Sequence, residues 1–173
     1  SNCGNLIPQT LSLAVGITTP QTITYTITPV GPAPSNCAGT PINVDVTINP
    51  VPDATATPVN SSVCSGVATN IALSSSVAGT LFTWTASGSN GNLSGFSNQI
   101  TPVAGPISQV LTNSGTSSAT VTYVITPVFT NGAATCTGTP VTAVVTVNPI
   151  PVVTATPNTQ AICSGGSTSV ALT

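Results

Sequence analysis

Along the best-defined stretches of this chain apolar and polar residues alternate with a period of two, and no long stretch carries the three-to-four-residue spacing of an amphipathic helix. In TVTYVIT at 120–126, Val121, Tyr123 and Ile125 fall on one face while Thr120, Thr122 and Thr126 fall on the other. In VTAVVTV at 141–147 the apolar face is Val141, Ala143, Val145 and Val147, with Thr142 and Thr146 opposite. In LFTWTA at 81–86, Phe82 and Trp84 are expected to point into a core and Thr83 and Thr85 to meet solvent. Tyr25 occupies in TITYTITPV the place that Tyr123 holds in TVTYVITPV, and both tyrosines are assigned to the core. These are half-buried antiparallel strands. The pattern predicts strands over 54–58, 69–75, 80–86, 109–113, 119–127 and 140–148.

Turn chemistry separates the strands. Asn90-Gly91 and Asn131-Gly132 mark tight turns because both residue types tolerate positive φ, and Gly66, Gly79 and Gly165 mark further reversals. The text also repeats with a period of about 99 residues: Cys37 returns as Cys136 and Cys64 as Cys163, and CAGTPINVDVTINPVPDATATP returns as CTGTPVTAVVTVNPIPVVTATP. IPQTLSL from Ile7 matches ISQVLTN from Ile107. Within the repeat, Asn-Pro-x-Pro occurs at 49–52 and 148–151, where proline fixes φ and withholds a ladder donor; each is read as a short, stiff connector. The organisation expected is the C-terminal part of one unit over 1–50, a complete unit over 51–149 and the start of a third over 150–173, a window on a longer array. Seven or so short strands around one tryptophan fit an immunoglobulin-like β-sandwich, so the fold class is all-β, in tandem.

Composition removes most charge-based chemistry. The 173 residues contain no Lys, Arg or His, and Asp45 and Asp53 are the only acids, for a formal charge of −2. Neutralising nucleic-acid phosphates needs cations, as does attraction to anionic lipid by a basic face, so neither partner is expected. General acid–base catalysis has no proton carrier and the hydroxyl groups have no activating base, so no enzyme activity, catalytic residue or cofactor is expected. The abundance of Val, Ile and Thr argues for a folded chain. No apolar run is long enough to span a bilayer. The lack of Lys and Arg also predicts resistance to trypsin-like proteases.

Five cysteines stand among neutral residues without a Cys-x-x-Cys pair, so no metal site is expected and structural disulfides in an oxidising compartment are favoured over buried thiols. The candidates are Cys37, Cys64, Cys136 and Cys163, whereas Cys3 has no counterpart in the next copy. Asp45 and Asp53 flank a proline connector and invite a calcium bridge, but calcium wants six to eight oxygens and the next copy has Val144 and Val152 there; surface acids are the expectation. Trp84 as a sugar-stacking platform is weighed against a core tryptophan, and the core reading is preferred.

The strings IPQTL, TITYTITP, Cys-x-Gly-Thr-Pro, VTVNPxP and ICSGG resemble the PKD-like, Ig-like tandem repeats of giant Bacteroidota cell-surface proteins, a group similar in style to gliding-motility adhesins. The resemblance implies export by type IX secretion and a long extracellular stalk or filament; it supplies no catalytic residues. Partners expected are neighbouring repeats of the same chain, with surface polysaccharide or other copies of the chain left open as alternatives. Two cysteine registers are open as well. Cys64 with Cys136 would staple one unit, while Cys37 with Cys64 would tie adjacent units; the within-unit pair is preferred because each repeat then carries its own staple, although the two positions stand at opposite ends of a standard sandwich.

Overall fold

A computed structural model describes residues 6–173. Cys3 lies outside the described residues.

The first unit contributes the antiparallel hairpin β1 (Gln21–Ile27) and β2 (Ile42–Ile48), with Tyr25 opposite Val44. The complete unit follows as β3 (Thr55–Thr57), β4 (Asn60–Cys64), β5 (Val67–Ala68), β6 (Ala72–Ser74), β7 (Leu81–Gly88), β8 (Leu93–Ser94), β9 (Gln99–Val103), β10 (Val110–Asn113), β11 (Ala119–Asn131), β12 (Ala134–Thr137) and β13 (Val141–Asn148). A last ladder, β14 (Ala155–Thr156) with β15 (Ala171–Leu172), opens the third unit.

The complete unit is a two-layer sandwich. One sheet runs β4-β13-β11-β7-β9, with β12 continuing the far end of β11. The facing layer holds the β3-β6 ladder and the β5-β10-β8 ladder, joined by the bridge between Ile71 and Ile107. Every pairing is antiparallel except β4 with β13, which is parallel. Between the layers Ile71, Ile107, Leu111, Val121, Tyr123, Ile125, Val145 and Val147 are buried, and Phe82 and Trp84 join them. Burying side chains of this size stabilises the unit by about 1.5–3 kcal/mol each. The chain is all-β, built from immunoglobulin-like sandwich units.

Register repeats with sequence. Ala119 faces Val147 as Gln21 faces Ile48, Tyr123 faces Ala143 as Tyr25 faces Val44, and Ala155 faces Leu172 as Ala56 faces Leu73. Strict alternation explains this, because a one-residue slip would turn Val121, Tyr123 and Ile125 outward together. The environments differ, however. Tyr25 is only partly buried, and Ile23 and Ile27 are 39% and 37% exposed where Val121 and Ile125 are at 0%. Among the described residues the apolar face of β1 and β2 has only the stretch around Ile7–Leu11 beside it, whereas a full second layer covers the same face in the complete unit.

The ladders depart from the expected strands in ways that polar side chains explain. The stretch 69–75 is broken, since the Thr69 hydroxyl donates to Ile107 O at 3.0 Å and accepts from Gln109 N at 3.0 Å, taking ladder positions itself. Strand β11 runs four residues past Pro127, which is buried, and closes through β12. Its tight turn has Gly132 at φ 59°, while Asn131 remains in the ladder opposite Ala134.

Candidate functional site at the joint between units

The complete unit gathers polar side chains into hydrogen-bonded clusters between and beside its layers. Its best-organised polar cluster lies at Tyr123, whose hydroxyl donates to Gln109 Oε1 at 3.0 Å, while Gln109 Nε2 donates to Ser97 O at 3.0 Å. Burial pushes the Tyr123 phenol up to about 12, with a hydrogen bond from Thr69 working in the opposite direction. A neutral phenol of that kind ties β11 to the opposing layer. The first unit repeats the arrangement, with Tyr25 Oη donating to Gln9 Oε1 at 2.6 Å. The recurrence of Gln two places after Ile, at Ile7 and Ile107, was the available sequence signal for this pair.

The joint at 49–52 is the more distinctive place. Pro50 and Pro52 are both buried, and the second unit reaches over Pro52. A Cβ added at Gly138 would lie 1.7 Å from Pro52 O and 2.9 Å from Pro127 Cγ, so glycine is what lets the segment after β12 lie directly on the connector. Beyond it the β11–β12 hairpin touches the preceding unit, where Asn131 Nδ2 donates to Asn49 Oδ1 at 2.8 Å. The Gly of Cys-x-Gly-Thr-Pro and the Asn of Asn-Pro-x-Pro therefore serve the joint itself. Sequence reasoning saw both motifs but assigned neither to this contact.

The downstream end of the complete unit is held by asparagines. Asn113 is buried, with Nδ2 donating to Val147 O at 2.8 Å and Ser117 O at 2.9 Å, and Oδ1 accepting from Gly115 N at 2.9 Å. Asn148 Nδ2 donates to Ser62 Oγ at 2.8 Å and its Oδ1 accepts from Ser118 at 2.7 Å. A cleft of about 590 Å³ lies beside them, bounded by Ser65, Asn113 and the connector Pro149–Pro151, and the first unit has a matching cleft of about 320 Å³ against Asn49 and Pro50.

The cysteines lie at opposite ends of the unit. Cys64 faces Asn148 across the β4–β13 ladder, and Cys136 faces Phe129 in β12, before β13 begins at Val141. The eight residues of β13 span about 25 Å, whereas a disulfide needs Cα atoms within about 7 Å, so the preferred within-unit pair does not fit this fold. Cys37, Cys64, Cys136 and Cys163 all carry free thiols, and all but the half-buried Cys136 are exposed.

Asp45 accepts from Thr24 Oγ1 at 2.6 Å. Asp53 accepts from Ser75 Oγ at 2.7 Å and from Ser76 N at 2.7 Å, bonds that hold its carboxyl below the usual carboxylate range. Each acid thus has partners of its own on a different unit. Trp84 is 7% exposed and its indole N–H donates to Ser97 O at 3.2 Å; Phe82 and Tyr123 are buried beside it.

A layered sandwich whose strand registers recur in the units on either side, with a buried proline connector before it, defines a structural repeat module. A family model described as PKD-like domain matches residues 4–52 and 61–151, and the chain belongs to that family. Both matched stretches end at or beside the second proline of an Asn-Pro-x-Pro joint. No curated protein and no solved structure matches the chain.

Proposed function

We propose that this chain is a load-bearing spacer segment, with no catalytic role, in a large secreted or surface-anchored bacterial adhesin, its units stacked into a stalk that carries an adhesive region away from the cell. The observation that supports this most directly is the parallel β4–β13 clamp, in which Asn60–Cys64 lie beside Val144–Asn148. Tension enters a unit through the connector before Asp53 and leaves through Asn148, so it pulls the first strand of the clamp one way and the last strand the other. The clamp's hydrogen bonds are then loaded together in shear instead of being opened one at a time. The buried prolines of the 49–52 connector and the neutral, hydroxyl-rich faces suit close stacking of such units along a stalk.

The resemblance to Bacteroidota surface repeats extends the reading to type IX export and gliding-type adhesion. X-ray scattering tests the stalk. The chain lengthened by one further copy of residues 53–151 is expected to grow in maximum dimension by about 30–40 Å, from strands at about 3.3 Å per residue plus a connector. A particle that thickens without lengthening overturns the proposal.

A further inference from the structure

We infer that the cysteines of this chain are joint staples: the cysteine at the downstream end of one unit bonds to the hairpin cysteine of the unit that follows it. This rests on the tandem stalk reading above. Cys64 and Cys136 are kept apart by the length of β13. Cys37 with Cys64 is a worse match, because Cys37 belongs to the upstream end of the first unit and Cys64 to the downstream end of the second, so two unit lengths separate them. The complete unit thus carries one cysteine at each end. In an array of such units every joint is approached by one cysteine from either side.

The joint in hand shows which residues meet there. Asn131, in the hairpin of the second unit, donates to Asn49 of the first at 2.8 Å. Asn49 is the residue that repeats as Asn148, and Asn148 is the ladder neighbour of Cys64, about 5 Å away across the strands. On the other side Asn131 stands two positions beyond Phe129, the ladder neighbour of Cys136, about 7 Å along the strand. The asparagine contact brings both cysteine positions to the same joint, and the staple requires the overhanging hairpin to shift until their Cα atoms lie within about 7 Å. Val63 packs against the core, which turns Cys64 outward, and the Cys64 side chain is exposed. The partner of Cys64 is then the hairpin cysteine of the unit begun at Val152.

Forming the bond joins the two sulfurs and releases two protons and two electrons. A small disulfide such as oxidised glutathione accepts them and leaves as two thiols. The product is a covalent bridge over the proline connector, which limits how far two units separate under load.

The test extends the full chain after Thr173 with a repeat of residues 75–151, completing the third unit and supplying a second copy of Cys136. The protein is equilibrated in a glutathione redox buffer, digested with pepsin and mapped by mass spectrometry without reduction. The expected product is a peptide pair joining Cys64 to the second copy of Cys136, with a loss of two titratable thiols that Cys64→Ser abolishes. A Cys64–Cys136 link within one unit, a link between chains, or a free Cys64 overturns the inference. Scattering from the reduced protein reads the stalk separately: an elongated particle whose Cys64 stays free defeats the staple alone, and a compact particle defeats both. In the 173-residue chain itself, Asn49→Cys combined with Asn131→Cys is expected to close into an intrachain disulfide in the same buffer, and failure to close overturns the joint contact on which the staple depends.

Discussion

Replacing Gly138 by alanine tests whether the segment after β12 is seated on the connector. The new Cβ would meet Pro52 O at 1.7 Å, Pro52 C at 2.9 Å and Pro127 Cγ at 2.9 Å. A carbonyl oxygen and a methyl group need more than 3 Å between them, so the backbone has to move by about 1.5 Å, and both prolines are buried. Overpacking of this kind costs about 1–3 kcal/mol. For a unit of this size that is a fall of about 5–20 °C in Tm. The assay is thermal unfolding followed by tryptophan fluorescence, which reports the complete unit alone because Trp84 is the only tryptophan. Two alanine variants calibrate it. Gly91 has nothing within 4 Å of an added Cβ and no positive φ, so Gly91→Ala is expected to leave Tm unchanged. Gly39, the counterpart of Gly138, meets the Pro29 ring at 2.8 Å and no connector, so Gly39→Ala is expected to leave the tryptophan transition in place. A Gly138→Ala protein that melts with Gly91→Ala would refute the seating argument.

Other variants probe the polar locks. The Tyr123 phenol is raised in the folded state, so its contribution is intact below about pH 10 and is lost as pH climbs towards 12, where the unfolded chain ionises first. Denaturant titrations at pH 8 and 11.5 should show a loss of about 2 kcal/mol, with Tyr123→Phe removing most of that slope; an equal slope in the variant would point to another group. Asn113→Ala strips three hydrogen bonds from a buried amide and is expected to cost about 1–3 kcal/mol in urea unfolding, with no effect arguing that water replaces them.

How far these features were legible in the sequence depends on what each residue reports. Period-two alternation revealed β7, β10, β11 and β13 because those strands have one face in the core and one in solvent. It missed β4 and β9, since NSSVC is mostly polar and QITPV carries a proline, and both lie at sheet edges where a strand needs no apolar face. The turn at Asn131-Gly132 was legible, but not that Asn131 stays in the ladder and spends its side chain on Asn49. The Cys-x-Gly-Thr-Pro glycine carried no role in the sequence beyond its place in the motif, because what it touches is Pro52, far away in the chain. The sandwich fold class already set the two cysteine positions of a unit at opposite ends, against the pairing preferred for its one staple per repeat; the parallel register of β4 and β13 gives the separation its length. Tyr25 and Tyr123 share a sequence context, yet only Tyr123 is fully buried, because burial depends on the opposing layer more than on the strand itself.

Stretching the chain from its two ends in a force spectrometer tests the load-bearing account most directly. Shearing the β4–β13 clamp should hold the complete unit intact to its highest force and then release the residues from Asp53 to Asn148 in one step. At about 3.4–3.6 Å per extended residue, less about 35 Å of folded length, that step is about 300 Å. Gradual lengthening without a discrete step of that size would contradict it.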